Sequence, residues 1–133
     1  MTKNLQLLKI TLVVYGVVGI IYGVLFLIVP QLLVNASGSE PVPSGWLRWS
    51  GGILVALGVG SFLALKNLTN QETLVLTFAL VTLLCGLALL YSLIFENVTN
   101  AWFTIIPVVL NLLISVFFWL SWKKLTTKQE EES

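Results

Sequence analysis

The chain has 133 residues, 57% of them hydrophobic and only 10% charged, with mean hydropathy +0.97 and a formal net charge of +1. A soluble domain is about a quarter charged, so a water-facing fold is excluded, and nucleic-acid surfaces have no counterpart in this sequence. With no His and one Cys, Cys85, haem sites, clustered metal sites and a Cys-x-x-Cys relay are excluded as well, and no cofactor is expected.

Four apolar runs fill most of the chain, at about residues 10–29, 46–65, 74–95 and 101–122. The hydrocarbon core of a bilayer is about 30 Å thick and a helix rises about 1.5 Å per residue, so a run of about twenty residues crosses it once. The sequence predicts an all-α fold: one integral membrane bundle of four transmembrane helices, a single domain over residues 1–133 with 123–133 as a charged tail. The first run follows Lys3 and Lys9 and stops at Pro30. It is longer than the ~7–15-residue apolar core of a signal peptide and reads as a retained span. Gly16, Gly19 and Gly23 lie on one stripe of it. In lipid, helices associate through close van der Waals contact, so small residues mark the contact side.

The segment 30–45 is the longest connection and contains Pro30, Pro41, Pro43 and Ser37-Gly38-Ser39. Its start, Pro30-Gln-Leu-Leu-Val, is expected to lie as a turn or two of interfacial helix, because Pro suits a helix start. The second run carries Gly52, Ala56, Gly60 and Ala64 at steps of four, with Gly51 and Gly58 beside them. This stripe is expected to face the bundle interior. The connections near 66–73 and 96–100 are short, which predicts that the second and third runs, and the third and fourth, are antiparallel neighbours. The third run supplies Ala79, Thr82 and Gly86 for packing.

On the fourth run Thr104, Pro107, Asn111, Ser115 and Trp122 fall within a sector of about 80°, taking about 100° per residue. Asn111 is central in the span and needs a hydrogen-bond partner in hydrocarbon, so it is expected to face the bundle. Pro107 frees the carbonyl of Phe103 and predicts a kink. The stripe supports two readings. In one, Asn111 only bonds a neighbouring helix, through its backbone, Thr82 or a Tyr hydroxyl. In the other, Thr104, Asn111 and Ser115 line a small polar pocket that orients a lipid headgroup or a quinone.

Charge sets the orientation. Lys3, Lys9, Lys66, Lys123, Lys124 and Lys128 share one side of a four-span topology, against Arg48 with Glu40 and Glu96 on the other. By the positive-inside rule both termini are cytoplasmic. Trp46, Trp49 and Trp102 at the outer level and Trp119 and Trp122 at the inner level stand where an aromatic belt places them. Arg48 and Glu96 each overhang a face of small residues, so they are expected to pair across the outer mouth, with Glu40 as a rival for Arg48. With Trp102 beside them they form either a headgroup site or a set of interfacial anchors in which Arg48 snorkels to water.

A proton-coupled exporter needs a carboxylate inside the membrane. Glu40, Glu72 and Glu96 all sit at or beyond the ends of the runs, and no nucleophile has a His to activate it. The chain therefore reads as a small non-enzymatic membrane protein without catalytic residues. It is either an accessory subunit of a larger membrane complex or a lipid- or lipophile-binding bundle, with homo-oligomers also open. The alternative is a redox partner or enzyme acting on a lipophile such as a quinone, and a small transporter comes third.

Pro30, the second-run start Arg48-Trp-Ser-Gly51-Gly52 and the following Ala56-Leu-Gly58 resemble the small four-helix bacterial membrane proteins called DoxX-like. The resemblance implies a four-helix bundle in the bacterial inner (plasma) membrane, a multi-pass protein. Some members of that group are linked to quinone-dependent sulfur oxidation. This chain lacks a redox group and the polar residues those members place in the first helix, so no catalytic residue carries over.

Overall fold

The computed structural model describes residues 3–39, 43–68, 71–96 and 101–132 and contains, among them, five helices and no strand. These are α1 (Lys3–Ile28), α2 (Pro30–Ser37), α3 (Ser44–Ala64), α4 (Glu72–Phe95) and α5 (Ala101–Glu132). All but α2 are long and apolar enough to cross a membrane, over Leu5–Ile28, Ser44–Ala64, Glu72–Phe95 and Trp102–Thr127. The outward faces are apolar too: Ile21, Leu84, Ile94 and Val116 are all more than half exposed. A surface of this kind suits lipid, where an exposed apolar side chain carries no hydration cost.

The short helix expected after Pro30 is α2. Pro30 stands in its first turn, where a missing N–H breaks no helical hydrogen bond. Gly38 closes it with a left-handed backbone (φ 65°), its N–H donating to the Asn35 carbonyl at 3.3 Å. Pro30, Leu33 and Val34 are buried where α2 rests on α1, α3 and α5. At the other end of the chain, α5 runs through Pro107 as one helix and continues into the charged segment beyond residue 122.

The helices form two pairs, α1 with α3 and α4 with α5, joined mainly through α1 and α5. The short connection near 66–73 predicts α3 and α4 as neighbours, but their backbones seldom approach each other, and the two helices meet through side chains at the core. A short connection ties one end of each helix to the other, and surface fit decides the rest. The surface that fits α3 is on α1. A Cβ added at Gly23 would lie 2.8 Å from the Gly51 carbonyl oxygen, and one at Gly51 would lie 2.7 Å from the Gly23 carbonyl oxygen. One at Gly58 would stand 3.0 Å from the Gly16 carbonyl oxygen. The backbones of α1 and α3 meet because neither carries a side chain there. This corrects the expected inward stripe. Gly51 and Gly58 face α1, whereas Gly52 and Ala56, on the adjoining row, are exposed, and nothing lies within 4 Å of a Cβ built at Gly52.

The core belongs to the half of the bundle that carries the N-terminus. Leu8, Leu12 and Tyr15 from α1, Ala64 from α3, Val75, Phe78 and Ala79 from α4, and Ile114 and Phe118 from α5 form one buried cluster. Three rings make its centre. Tyr15 lies 5.0 Å from Phe78 and 5.5 Å from Phe118, the latter edge-on, and Phe78 lies 5.5 Å from Phe118. Tilted and edge-on pairs at these separations are the favoured arrangements of aromatic quadrupoles.

Candidate functional site

One row of α4 shows how the packing changes along the bundle. Phe78, Thr82, Cys85 and Leu89 succeed one another at steps of four, three and four and so share a face. Phe78 is 0% exposed and Thr82 1%, but Cys85 is exposed and Leu89 half-buried. The opposite row of α3 changes in the same way. Gly60 would place a Cβ 3.9 Å from the Phe78 ring, and above it Ala56 and Gly52 are exposed. On α5, Phe118 and Ile114 are buried while Asn111, Pro107 and Phe103, further along the same side, are half-buried. The helical pairs thus meet most tightly at the ring cluster, and towards the α2 end the rows of α3 and α4 that continue from it are exposed at Ala56, Gly52 and Cys85, while Thr104 and Val108 on α5 stay buried. The short α2 rests on α1, α3 and α5 at that end.

Hydroxyl groups gather just above the ring cluster, at mid-span. Thr82 Oγ1 donates to the Phe78 carbonyl at 2.7 Å and reaches the Ala79 carbonyl at 3.2 Å. Ser115 Oγ, from α5, donates to the same Ala79 carbonyl at 2.9 Å. This bond crosses between helices and fixes the register of α4 against α5. The Tyr15 hydroxyl, from α1, is buried and has no partner.

The predicted site residues divide into two groups. Thr104, Asn111 and Ser115 lie on one side of α5: Thr104 and Ser115 are buried, Ser115 meets α4 at Ala79, and Asn111 Cβ would lie 3.4 Å from a Cβ at Gly86. Asn111 faces the bundle as expected, but its partner is on its own helix, because Nδ2 donates to the Pro107 carbonyl at 2.8 Å. That local bond satisfies the amide without a neighbouring helix. Arg48, Glu96 and Trp102 are all exposed, and no ion pair joins Arg48 to Glu96 among the described residues. The expected pair required α3 and α4 to run side by side, and their backbones seldom approach each other. Glu40, the rival partner, lies outside the described residues. Trp46 and Trp49 stack edge-on at 6.0 Å and are exposed, as rim residues in an aromatic belt are. No group of three or more metal-ligating side chains occurs among the described residues.

Sequence reasoning passed over Tyr15. Its signal was present, since an ionisable hydroxyl in the middle of an apolar run has the same need for a partner that singled out Asn111. No known protein family, curated protein or solved structure matches this chain.

Proposed function

We propose that this integral membrane protein is a non-enzymatic lipophile-binding bundle of the bacterial plasma membrane, and that its site is a lateral opening between α3 and α4 where Gly52, Ala56 and Cys85 are exposed. The observation that carries this reading is the change along a single face of α4, from complete burial at Phe78 to exposure at Cys85. A gap between apolar helices in a bilayer does not stay empty, because an unfilled void forfeits dispersion contacts on every wall. Acyl chains or another lipophile fill it. Gly52 and Ala56 keep the α3 wall shallow enough for a chain to lie against it. Among the described residues no nucleophile–base pair and no carboxylate accompanies Gly52, Ala56 and Cys85 within the spans, which favours binding over chemistry or proton-coupled export.

Native mass spectrometry of protein purified in mild detergent tests the proposal. Wild type is expected to retain a lipophile in stoichiometric amount, and Ala56→Trp, which fills the opening, is expected to lose it. Ile21→Trp, on the outward face of α1, serves as the control and should retain it. Equal retention by the Ala56 variant would place the ligand elsewhere. A stoichiometric protein in place of a lipophile would make the chain an accessory subunit whose exposed Gly52–Ala56 face takes a partner helix.

A further inference from the structure

The three-ring contact gives a level from which charges on different helices can be measured. Tyr15 of α1, Phe78 of α4 and Phe118 of α5 meet there, and a Cβ at Gly60 of α3 would lie 3.9 Å from the Phe78 ring. Helices in contact run antiparallel. Gly16 and Gly23 of α1 face Gly58 and Gly51 of α3, and Ala79 and Gly86 of α4 face Ser115 and Leu112 of α5. Six residues from the rings, towards the end that carries the N-terminus, stand Lys9 on α1, Lys66 just past α3, Glu72 at the start of α4 and Lys124 on α5, with Lys123 beside it. At about 1.5 Å per residue all of them lie about 9 Å from the rings, on one level. α3 packs on α1, α1 on α5 and α5 on α4. The lysines therefore form an arc across three successive helices, and α4 supplies a carboxylate instead.

The protein does not neutralise this arc. Lys9, Lys66, Lys123 and Lys124 are exposed, and no ion pair joins any of them to a carboxylate among the described residues. Glu72 does not serve them, because its Oε1 is buried and has no partner. Glu130, Glu131 and Glu132 stand at least six residues further along α5, about 9 Å beyond the level of Lys124. Like charges held at one level repel, and beside hydrocarbon water screens that repulsion less than in bulk. An anion at the same depth relieves it. Depth also names the source of the anion. The arc lies within a few residues of where the apolar spans begin, at Leu5 and Glu72, and end, at Ala64 and Thr127. That is the boundary of the hydrocarbon, where lipid headgroups are. Trp119 and Trp122 stack at 5.3 Å on α5 just inside it, as aromatic side chains do at a headgroup level. We infer that the lysine arc binds the phosphate of anionic phospholipids. The surface is separate from the exposed Gly52, Ala56 and Cys85, which lie on the other side of the rings. The far end of the bundle has Arg48 as its only cation among the described residues, so selection of an anionic lipid belongs to the lysine end.

Native mass spectrometry of the full chain in detergent tests the inference with two lipids of identical acyl chains, anionic phosphatidylglycerol and zwitterionic phosphatidylcholine. One cation near a membrane surface is worth about fivefold in binding an anionic lipid, so wild type is expected to prefer phosphatidylglycerol about fivefold or more. The preference should shrink as ionic strength rises. Replacing Lys9, Lys66, Lys123 and Lys124 together by Gln should abolish it, replacing them by Arg should keep it, and Lys9→Gln alone should lower it. All of these variants should melt with wild type in lipid-free detergent, since the four side chains are exposed. Equal binding of the two lipids by wild type overturns the inference. So does a preference that survives the four Gln replacements, or one that is lost instead with Arg48→Gln.

Discussion

The α1–α3 seam and the α4–α5 seam solve the same problem with different materials. Along α1–α3 the contacts are backbone on backbone, with Gly23 and Gly51 each placed so that a Cβ would fall under 3 Å from the other's carbonyl oxygen. Along α4–α5 the one close glycine, Gly86, faces the end of a side chain, since a Cβ there would meet Leu112 Cδ2 at 2.8 Å. The α4–α5 register is held instead by the Ser115–Ala79 hydrogen bond. Backbone cannot move aside, but a leucine can change rotamer. The first seam should therefore be brittle and the second forgiving, although the α1–α3 pair is the one joined by the long connection. Helix association in lipid is set by how closely two surfaces approach, and the length of the link between them matters less.

Substitution at the seams tests this contrast most directly. Gly51→Ala is expected to have the largest effect, about 2–3 kcal/mol of destabilisation, because the added methyl meets the Gly23 backbone. Reversible unfolding in mixed micelles measures it, and a cost below about 0.5 kcal/mol would mean that α1 and α3 can slide apart freely. Ser115→Ala should come next at about 1 kcal/mol, the usual value of a hydrogen bond between membrane helices. Gly86→Ala is expected to stay below about 1 kcal/mol, since Leu112 can turn away. If it matched Gly51→Ala, the distinction between backbone and side-chain seams would collapse. Gly52→Leu should change stability by no more than about 0.5 kcal/mol, because the position faces open space. Its effect belongs to the opening, where the larger side chain is expected to lower lipophile retention in the native mass spectrum.

The bundle's two halves differ in a way that joins stability to function. The half bearing Tyr15, Phe78 and Phe118 holds the buried cluster, while towards α2 the rows of α3 and α4 that continue from it are exposed at Ala56, Gly52 and Cys85. Phe78 belongs to both halves, as the centre of the core and the end of the α4 wall.

The sequence alone determined the membrane class, the four spans and the short helix at Pro30. Each depends on a local property: the length of an apolar run, or the fixed φ and missing N–H of proline. It also placed Gly16, Gly19 and Gly23 on a packing face, and turned Asn111 inward, because helical periodicity projects such residues without knowledge of any partner. The tertiary structure decided which helices meet. The stripe at Gly52, Ala56, Gly60 and Ala64 and the row through Gly51 and Gly58 are adjacent on one helix and equally rich in small residues, so composition could not choose between them. The choice was made on α1, where Gly16, Gly19 and Gly23 fit Gly51 and Gly58. Once α3 turned to that partner, Gly52 and Ala56 faced outward, and Arg48 and Glu96 were left on helices whose backbones seldom approach each other. Pairing is a property of two surfaces, and a single helix encodes only one.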